Sequence, residues 1–289
     1  MKIYVTGGTG FVGSHLTRKL LEQDHEVTVG GLNPENSVLE LPEEIGREGI
    51  DVTDPASLDF EGYDCVIHLV ALSPLRKPPA SYREVHVEGT RNVVEEAERS
   101  GVDKLVHVSA IGADPEAETE YLRTKGKAQE IVEESELSWR IFRPSIMFGE
   151  GGEFMEFVSK LATPFFTVQP GRDTLFQPLY VEDMVEMVEG SLQDKYNGKV
   201  FEVGGPEKLS LGNIVSMVKR SEGKPVMVAK LPDTFFRLGM EVSERIPVSP
   251  FGMDQYRSLQ SQNIVENNDA ERLGKKESEL KTLREYLEV

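Results

Sequence analysis

The stretch Thr6-Gly7-Gly8-Thr9-Gly10-Phe11-Val12-Gly13 decides the expected fold, because glycines at this spacing mark a tight turn between a strand and a helix. The preceding residues, Lys2–Thr6, form a short and mostly apolar run that is typical of a buried strand. The following residues, Phe11–Gln23, carry apolar side chains every three or four positions, which predicts a helix. Strand, glycine turn and helix together predict a dinucleotide-binding βαβ unit.

Each glycine of this turn has a predicted physical role. Gly7 permits the sharp turn, Gly10 lets the backbone approach a diphosphate, and Gly13 lets the helix lie close to the strand. Amides at the start of the helix, where the helix dipole is positive, would face the phosphates. The alternative is a glycine-rich turn without a ligand; an ATP-type phosphate loop is excluded because no Lys-Ser or Lys-Thr pair follows. The predicted diphosphate-binding residues are Gly7, Thr9, Gly10, Phe11, Val12 and Gly13.

Beyond the turn, short apolar runs alternate with helical patterns, which predicts a parallel sheet covered by helices on both faces. The predicted strands are Lys2–Thr6, Glu26–Val29, Gly49–Val52, Cys65–Leu69, Lys104–Ser109, Ser138–Phe142 and Val200–Val203. The predicted helices are Phe11–Gln23, Tyr82–Ser100 and Tyr121–Ser135. The expected fold class is therefore α/β, a Rossmann-type doubly wound parallel sheet.

The pattern changes after about residue 145, where glycines and prolines become frequent and strands become sparse. We therefore expect a dinucleotide-binding domain made of residues 1–145 plus roughly 178–204. A smaller, discontinuous α/β substrate lobe would take roughly 146–177 and 205–289.

Composition restricts the class of partner. The 289 residues include 50 acidic and 32 basic side chains, for a net charge of −18, and a field of this sign argues against nucleic-acid binding. No signal peptide is visible, and no run reaches the ~18 apolar residues of a membrane helix. With a single cysteine, Cys65, these features predict a cytoplasmic protein. Its acidity fits either an ordinary acidic protein or adaptation to a salt-rich cytoplasm.

Metal and serine-nucleophile chemistry have no sequence signature. The five histidines lie on separate predicted elements, and none pairs with another or with Cys65 at the spacing of metal ligands. No Gly-x-Ser-x-Gly elbow is present. We therefore predict no metal site.

These motifs resemble the extended short-chain dehydrogenase/reductase superfamily, and more specifically its atypical branch related to the nucleotide-binding accessory subunit of respiratory complex I. The resemblance covers nearly the whole chain; besides the glycine turn it rests on residues 51–54, 86–93, 107–112, 121–125, 143–145, 177–183 and 201–206. It implies that Asp51 and Val52 flank the adenine. It also implies that Val70 and Ala71 lie beside the cofactor's ribose at the carboxyl edge of the sheet.

The end of the second strand bears on the choice of cofactor. Sites that prefer NAD commonly place a carboxylate there to accept a bond from the ribose 2′-hydroxyl. Here Val29 is followed by Gly30-Gly31-Leu32-Asn33, with neither a carboxylate nor an arginine. Without the acid a 2′-phosphate meets no repulsion, and Asn33 could donate to it. We therefore favour NADP(H) over NAD(H); a loop without a discriminating role is the alternative.

A tyrosine and a lysine supply the candidate acid–base pair. Tyr121 and Lys125 are four residues apart on a predicted helix and so share one face. A tyrosine with a pKa near 10 needs a neighbouring ammonium to lower that value, as Lys125 would do. The resemblance implies that this lysine also holds the nicotinamide ribose. A solvated helix pair is the alternative.

The third catalytic residue of the resembled superfamily, a serine or threonine, is missing from its usual position, where this chain has Ile111. Ser109, two residues earlier, is the possible substitute, although it could equally cap local backbone. Pro144 and Ser145 follow a strand and are predicted to line the mouth of the cofactor site, unless Pro144 merely ends the strand.

Three functions follow from these residues. The first is an NAD(P)-dependent oxidoreductase or epimerase-like enzyme with Tyr121 as acid–base, Lys125 on the ribose, and an unidentified small-molecule substrate between the sheet edge and the lobe. The second is a non-catalytic NADP(H)-binding accessory subunit, and the third is a redox-sensing regulator. A protein partner or a homo-oligomer is compatible with each.

Overall fold

The computed structural model describes residues 1–75, 78–160, 166–170, 174–224, 226–231, 257 and 260–289. Its strands are β1 (Lys2–Thr6), β2 (Glu26–Gly31), β3 (Gly46–Gly49), β4 (Cys65–His68), β5 (Lys104–Val108), β6 (Ser138–Pro144), β7 (Met147–Phe148), β8 (Phe166–Pro170), β9 (Leu175–Phe176), β10 (Leu179–Tyr180), β11 (Lys199–Val203), β12 (Leu209–Ser210) and β13 (Met227–Leu231). Its α-helices are α1 (Phe11–Glu22), α2 (Gly89–Arg99), α3 (Glu120–Glu133), α4 (Glu153–Lys160), α5 (Val181–Gly190), α6 (Leu211–Ser221) and α7 (Leu283–Leu287). A wider helical turn, Arg83–Glu88, leads into α2.

Seven strands form one sheet in the order β3-β2-β1-β4-β5-β6-β11, and every neighbouring pair is parallel. The chain builds outward from β1 to β3, returns to β4 on the other side of β1, and then builds outward again. This reversal leaves a crevice at the carboxyl ends of β1 and β4, the place where doubly wound sheets bind ligands. The predicted α/β class and Rossmann-type sheet are confirmed.

Helices cover both faces of this sheet. One face buries a cluster that includes Leu16 and Leu20 of α1 and Met184 and Val188 of α5. The opposite face buries Val93, Val94 and Ala97 of α2 and Val132 of α3. Because both faces are covered, β4 is buried throughout, as its continuous apolar sequence indicated.

The predicted position of the third strand is wrong. Gly49–Val52 was expected, whereas β3 is Gly46–Gly49, paired with Thr28–Gly31 of β2. Ile50 and Val52 are only 5% and 4% exposed, but they pack beneath α2 after the chain has left the sheet. Their alternating apolar pattern therefore reflects burial of a loop and not strand pairing.

Outside the seven-stranded sheet lie the two-stranded pairs β7–β10, β9–β12 and β8–β13 together with α4, α6 and α7, and we call these elements the lobe. Its own buried cluster includes Phe154 and Phe157 of α4, Ile214 of α6 and Leu283 of α7. Residues 270–280 pack elsewhere, because Ala270, Leu273 and Leu280 join the sheet-side cluster of α1 and α5. The division into two domains stays a prediction.

Within the described ranges, no helix combines the length and apolar character needed to cross a membrane.

Candidate dinucleotide and substrate site

The glycine turn lies at the crevice between β1 and β4. Gly7 has a φ of 74°, and its amide donates to Gly30 O at 2.7 Å, which fixes the turn to the end of β2. The tightest position is Gly13, where a Cβ would lie 2.1 Å from Gly7 O and 2.6 Å from Gly8 Cα. Both glycines are therefore required by sterics, Gly7 by its backbone angle and Gly13 by close packing.

The start of α1 is left open for an anion. Gly10 precedes the helix in an extended conformation; no side chain caps the helix and no acidic residue lies in its first turn. A Cβ at Gly10 would meet only Gly7 O, at 3.2 Å, so this position faces unfilled space. The Phe11 ring instead packs on His15, with centroids 5.6 Å apart. Uncapped helix amides beside unfilled space suit a diphosphate, so these residues fit the predicted group.

The residues predicted for the adenosine half are held differently from one another. Asn33 is exposed in the loop after β2, where its carbonyl accepts a bond from Asn36. The Asp51 carboxylate accepts bonds from the amide and the hydroxyl of Thr53, at 2.9 and 2.7 Å. Val52 is buried, and its carbonyl accepts a bond from the side chain of Asn92.

The sequence analysis missed one carboxylate near the residues predicted for the adenosine half, that of Glu48. Glu48 of β3 lies opposite Gly30 of β2 and accepts a hydrogen bond from the Tyr4 hydroxyl at 2.9 Å. The predicted strand began at Gly49, so Glu48 fell outside it. Only the observed register brings this acid to the end of β2.

Of the residues predicted to lie beside the nicotinamide half, Val70 lies against the glycine turn, because a Cβ on Gly7 would come within 3.2 Å of the Val70 amide. Ala71 follows it and is exposed. Pro144 ends β6, and its carbonyl accepts a bond from the Ile111 amide at 3.1 Å. Ser145 is 2% exposed and donates to Oδ1 of Asn263 at 2.7 Å.

The tyrosine–lysine pair lies on α3, as predicted. Lys125 is 2% exposed, and its Nζ donates to Val108 O at 2.6 Å. Burial lowers the pKa of Lys125 to about 7 and raises the pKa of Tyr121 to about 12. The expectation that the lysine lowers the pKa of Tyr121 is therefore not met here, since burial dominates the shift and the ammonium is bonded to Val108.

The position predicted for a third catalytic residue carries an apolar side chain that faces the cavity. The Ser109 side chain is 4% exposed, and its Oγ has no hydrogen-bond partner among the described residues. Ile111 is 6% exposed and lines the same cavity as Tyr121. The side chain beside the tyrosine is thus one that donates no hydrogen bond.

Three buried histidines surround Lys125, and sequence reasoning gave them only structural roles. The pKa of each is lowered, first by burial and then by the charge of Lys125: His68 to about 3, His86 to about 2, and His107 well below its ordinary range. All three rings are therefore neutral at physiological pH. Their neutrality keeps charge repulsion away from a protonated Lys125.

His86 and His107 differ in how their rings are satisfied. The Leu72 amide donates to Nε2 of His86 at 2.9 Å, so Nδ1 carries the hydrogen and donates to Thr124 Oγ1 at 2.9 Å. The His86 ring also lies 5.7 Å from the Tyr121 ring, edge to face. In contrast, neither nitrogen of His107 has a partner among the described residues.

A cavity opens beside Tyr121 at the carboxyl edge of the sheet, between the sheet and the lobe. Its described lining residues are Pro74, Leu75, Ile111, Tyr121, Leu122, Ile146, Phe157, Phe176, Ser261, Gln262 and Asn263. These residues come from both halves of the chain, so the cavity exists only when the two parts pack together. Among the described residues, no group of three or more histidine, cysteine or acidic side chains is placed to hold a metal ion.

The chain matches the model of a known protein family. The model of the NAD dependent epimerase/dehydratase family matches residues 3–204. The match includes the glycine turn, the tyrosine–lysine helix and the strands of the parallel sheet from Ile3 to Val203.

Similar proteins include both subunits and enzymes. The mitochondrial NADH-ubiquinone oxidoreductase 40 kDa subunit of Neurospora crassa is 26% identical over 75% of this chain and 59% of its own length. The N-acetyl-alpha-D-glucosaminyl-diphospho-ditrans,octacis-undecaprenol 4-epimerase of Escherichia coli O157:H7 is 27% identical over 82% of this chain and 76% of its own. The chain thus spans less than two thirds of the first of these relatives.

Solved structures confirm the fold. The UDP-glucose 4-epimerase of Thermus thermophilus, in complex with NAD, superimposes with a TM-score of 0.64 at 22% identity, over 80% of this chain and 86% of that chain.

Proposed function

The chain belongs to the NAD dependent epimerase/dehydratase family, and we propose that it binds a nicotinamide dinucleotide and moves hydride to or from a carbonyl or hydroxyl group. One observation carries this proposal: Tyr121 lines a cavity at the carboxyl edge of the sheet, and the buried Lys125 lies one helical turn further along α3. When bound, the nicotinamide supplies or accepts the hydride. The reaction is accordingly that of an oxidoreductase or an epimerase-like enzyme.

In this proposal the chain's own groups divide between cofactor binding and proton transfer. The uncapped amides that follow Gly10 bind the diphosphate, and Gly7 and Gly13 let the turn adopt the required shape. Lys125 holds the nicotinamide ribose, because an ammonium has three donors and Val108 takes only one of them. Tyr121 gives a proton to the substrate oxygen or takes one from it.

The pKa values explain what Lys125 must do for Tyr121. With its pKa at about 12, the Tyr121 hydroxyl stays protonated at pH 7, so it is ready to donate but a poor base. A donor from Lys125, or from a ribose hydroxyl that Lys125 holds, would stabilise the phenolate and lower that pKa. We propose that the pair becomes effective only when the dinucleotide is bound.

The preference for NADP(H) and the cytoplasmic location stay predictions. For the cofactor, the support is that Gly30 and Gly31 carry no acidic side chain, and that the Glu48 carboxylate beside Gly30 on the neighbouring strand already accepts a hydrogen bond from Tyr4. Dissociation constants for NADPH and NADH measured by calorimetry decide the matter, and a strong preference for NADH contradicts it.

The test of the enzyme function is Tyr121→Phe. We expect dinucleotide affinity within about twofold of wild type, because the hydroxyl acts on the substrate, and a loss of turnover of about 100-fold or more. Gly10→Ala is the matched variant for cofactor binding, because its Cβ meets only Gly7 O, so the fold should persist while dinucleotide affinity falls. Undiminished turnover in Tyr121→Phe would remove the proposed acid–base role.

A second candidate is a non-catalytic dinucleotide-binding subunit, with a redox-sensing regulator as a variant of it. It is favoured by Ile111 beside Tyr121, by the bond that draws Lys125 to Val108, and by the similarity to the Neurospora crassa subunit. It predicts tight dinucleotide binding, a raised melting temperature with ligand and no turnover on any carbonyl. A protein partner or a homo-oligomer would accompany this function.

A further inference from the structure

The cavity beside Tyr121 is apolar on most of its wall. Of its described lining residues, seven are aliphatic or phenylalanine side chains, namely Pro74, Leu75, Ile111, Leu122, Ile146, Phe157 and Phe176, and none carries a charge. Phe157 and Phe176 are 7% and 3% exposed and belong to the buried cluster of the lobe. The wall is therefore continuous with packed core, which fixes its shape.

The polar groups on this wall are mostly committed to the protein itself. Oδ1 of Asn263 accepts bonds from the Ser145 hydroxyl and the Ile146 amide. Oε1 of Gln262 accepts a bond from the Leu175 amide at 2.9 Å, and the Ser261 hydroxyl donates to a backbone carbonyl. By contrast, the Tyr121 hydroxyl makes no hydrogen bond to another described residue. This hydroxyl is therefore available to a substrate oxygen.

These features select against a strongly polar occupant. A sugar with several hydroxyls would exchange bonds to water for contacts with Ile111, Leu122 and Phe157, and each buried hydroxyl without a partner costs free energy. An apolar group, by contrast, gains free energy when it moves from water into this cavity. The cavity and the open solvent at its mouth together hold about 570 Å³ of space not filled by protein atoms.

Resting on the proposed function, we infer that the cavity binds an uncharged, largely apolar ketone or the corresponding secondary alcohol, with its single oxygen at the Tyr121 hydroxyl and its body against Ile111, Leu122 and Phe157. In the direction of reduction, the carbonyl carbon gains a hydride from the reduced dinucleotide and the oxygen gains the Tyr121 proton; oxidation of the alcohol returns both. Ile111 thus determines specificity: it gives the substrate an apolar contact at a position where a hydroxyl would favour polar substrates.

The experiment compares two probes, propiophenone and UDP-glucose. Saturation-transfer NMR on the wild-type protein, with and without NADPH, should show propiophenone bound through its ring and ethyl protons, and UDP-glucose unbound or at least tenfold weaker. NADPH oxidation should occur with propiophenone. Binding of UDP-glucose with no binding of propiophenone overturns the inference.

Two variants locate the probe in the cavity. Leu122→Asn makes the partly exposed wall polar and should weaken propiophenone at least fivefold, and Ile111→Ser should do the same. The control is Met227→Ala at an exposed site, 77% accessible and outside the described cavity lining, which should leave binding unchanged. Wild-type affinity in both cavity variants, or loss of binding in the control, contradicts the assignment.

The two proposals fail in different ways. A protein that binds neither NADPH nor NADH refutes the proposed function, yet the NMR experiment without dinucleotide still reports on the cavity. A protein that binds dinucleotide but takes up only the nucleotide sugar keeps the proposed function and refutes the apolar substrate.

Discussion

The glycine turn and the Tyr121 cavity lie at the same edge of the sheet but are built by opposite means. The turn comes from eight consecutive residues, and its shape is dictated by backbone sterics at Gly7 and Gly13. The cavity is assembled from distant segments, and its chemistry is set by burial, which shifts the pKa of Tyr121 upward and that of Lys125 downward. The shape of the glycine turn is therefore determined by residues adjacent in sequence, whereas the chemistry of the Tyr121 cavity arises only in the folded chain.

The largest effect, on both stability and dinucleotide binding, is expected for a substitution in the glycine turn. Gly13→Ala places a Cβ 2.1 Å from Gly7 O, so α1 must move off the turn. We expect a loss of about 3 kcal/mol in the free energy of unfolding and dinucleotide binding too weak to detect by calorimetry. Gly49→Ala is the matched control, because a Cβ there meets nothing within 4 Å. Normal binding by Gly13→Ala would show that close packing is not required.

The next prediction concerns the Tyr121 cavity and tests the lowered pKa of the buried Lys125. Lys125 titrates near 10.5 when unfolded and at about 7 when folded, so between these values the unfolded chain holds the extra proton. This group therefore makes stability rise with pH by ~1.4 kcal/mol per pH unit within that window, and adds no slope below pH 7. Lys125→Met should remove that slope.

The measurement is urea unfolding at pH 8 and pH 10 for both proteins. The difference between wild type and Lys125→Met should change by about 2.7 kcal/mol across the interval. Lys127→Met, an exposed lysine on the same helix, is the control. Parallel pH profiles for wild type and Lys125→Met would contradict the lowered pKa.

A smaller effect on stability is expected to distinguish His107 from His86, two buried histidines near Lys125. The unfolded histidines gain protons as pH falls below about 6.5, while the folded rings stay neutral, so each costs stability in acid. His107→Leu removes that cost together with two nitrogens that have no hydrogen-bond partner among the described residues, and we expect a relative gain of about 2 kcal/mol on going from pH 8 to pH 5.

His86→Leu is the matched variant, measured by the same urea unfolding. It also removes a titrating ring, but it takes away the acceptor of the Leu72 amide and a donor to the Thr124 hydroxyl, which keeps its own bonds to backbone carbonyls. We therefore expect it to be less stable than wild type at pH 8, by roughly 1–3 kcal/mol. Equal stability of the two variants at pH 8 would show that the hydrogen bonds of His86 do not matter.

The smallest effect, on cofactor affinity, is expected at Gly31, which lies beside Thr9 of the glycine turn. A Cβ at Gly31 would meet only Thr9 Oγ1, at 3.5 Å, so Gly31→Asp fits and brings a carboxylate to the end of β2. We expect NADPH affinity to fall about tenfold, or ~1.4 kcal/mol, with NADH affected less. Gly31→Asn is the uncharged control, and an equal loss with both substitutions would exclude a charge effect.

Sequence reasoning succeeded where the requirement is local. The glycine spacing, the alternation of strands and helices and the placement of Tyr121 and Lys125 on one helix were all readable, because each depends on neighbours within a few positions. The position of β3 was misread because Ile50 and Val52 are buried in a loop, and an apolar pattern does not distinguish a strand from a packed loop.

Long-range partners account for what sequence reasoning missed. Nothing near Ser145 signals that Asn263 accepts its hydroxyl, and nothing near Lys125 signals its bond to Val108 or its three neutral histidines. Such contacts depend on the strand order and on how far each group lies from water. The spacing of the Tyr121–Lys125 pair was therefore predictable, whereas its pKa values were not.

Residues 263–281 also set a condition on the order of assembly. Asn263 accepts the hydroxyl of Ser145, and the backbone amide of Lys281 donates to the Asp183 carboxylate at 2.8 Å. During synthesis, the Ser145 hydroxyl and the Asp183 carboxylate lack these partners until residues about a hundred positions later have been added. A ribosome-bound precursor that ends before residue 260 would hold the sheet without these hydrogen-bond partners, so the native state can form only after residues 263–281 have been synthesised.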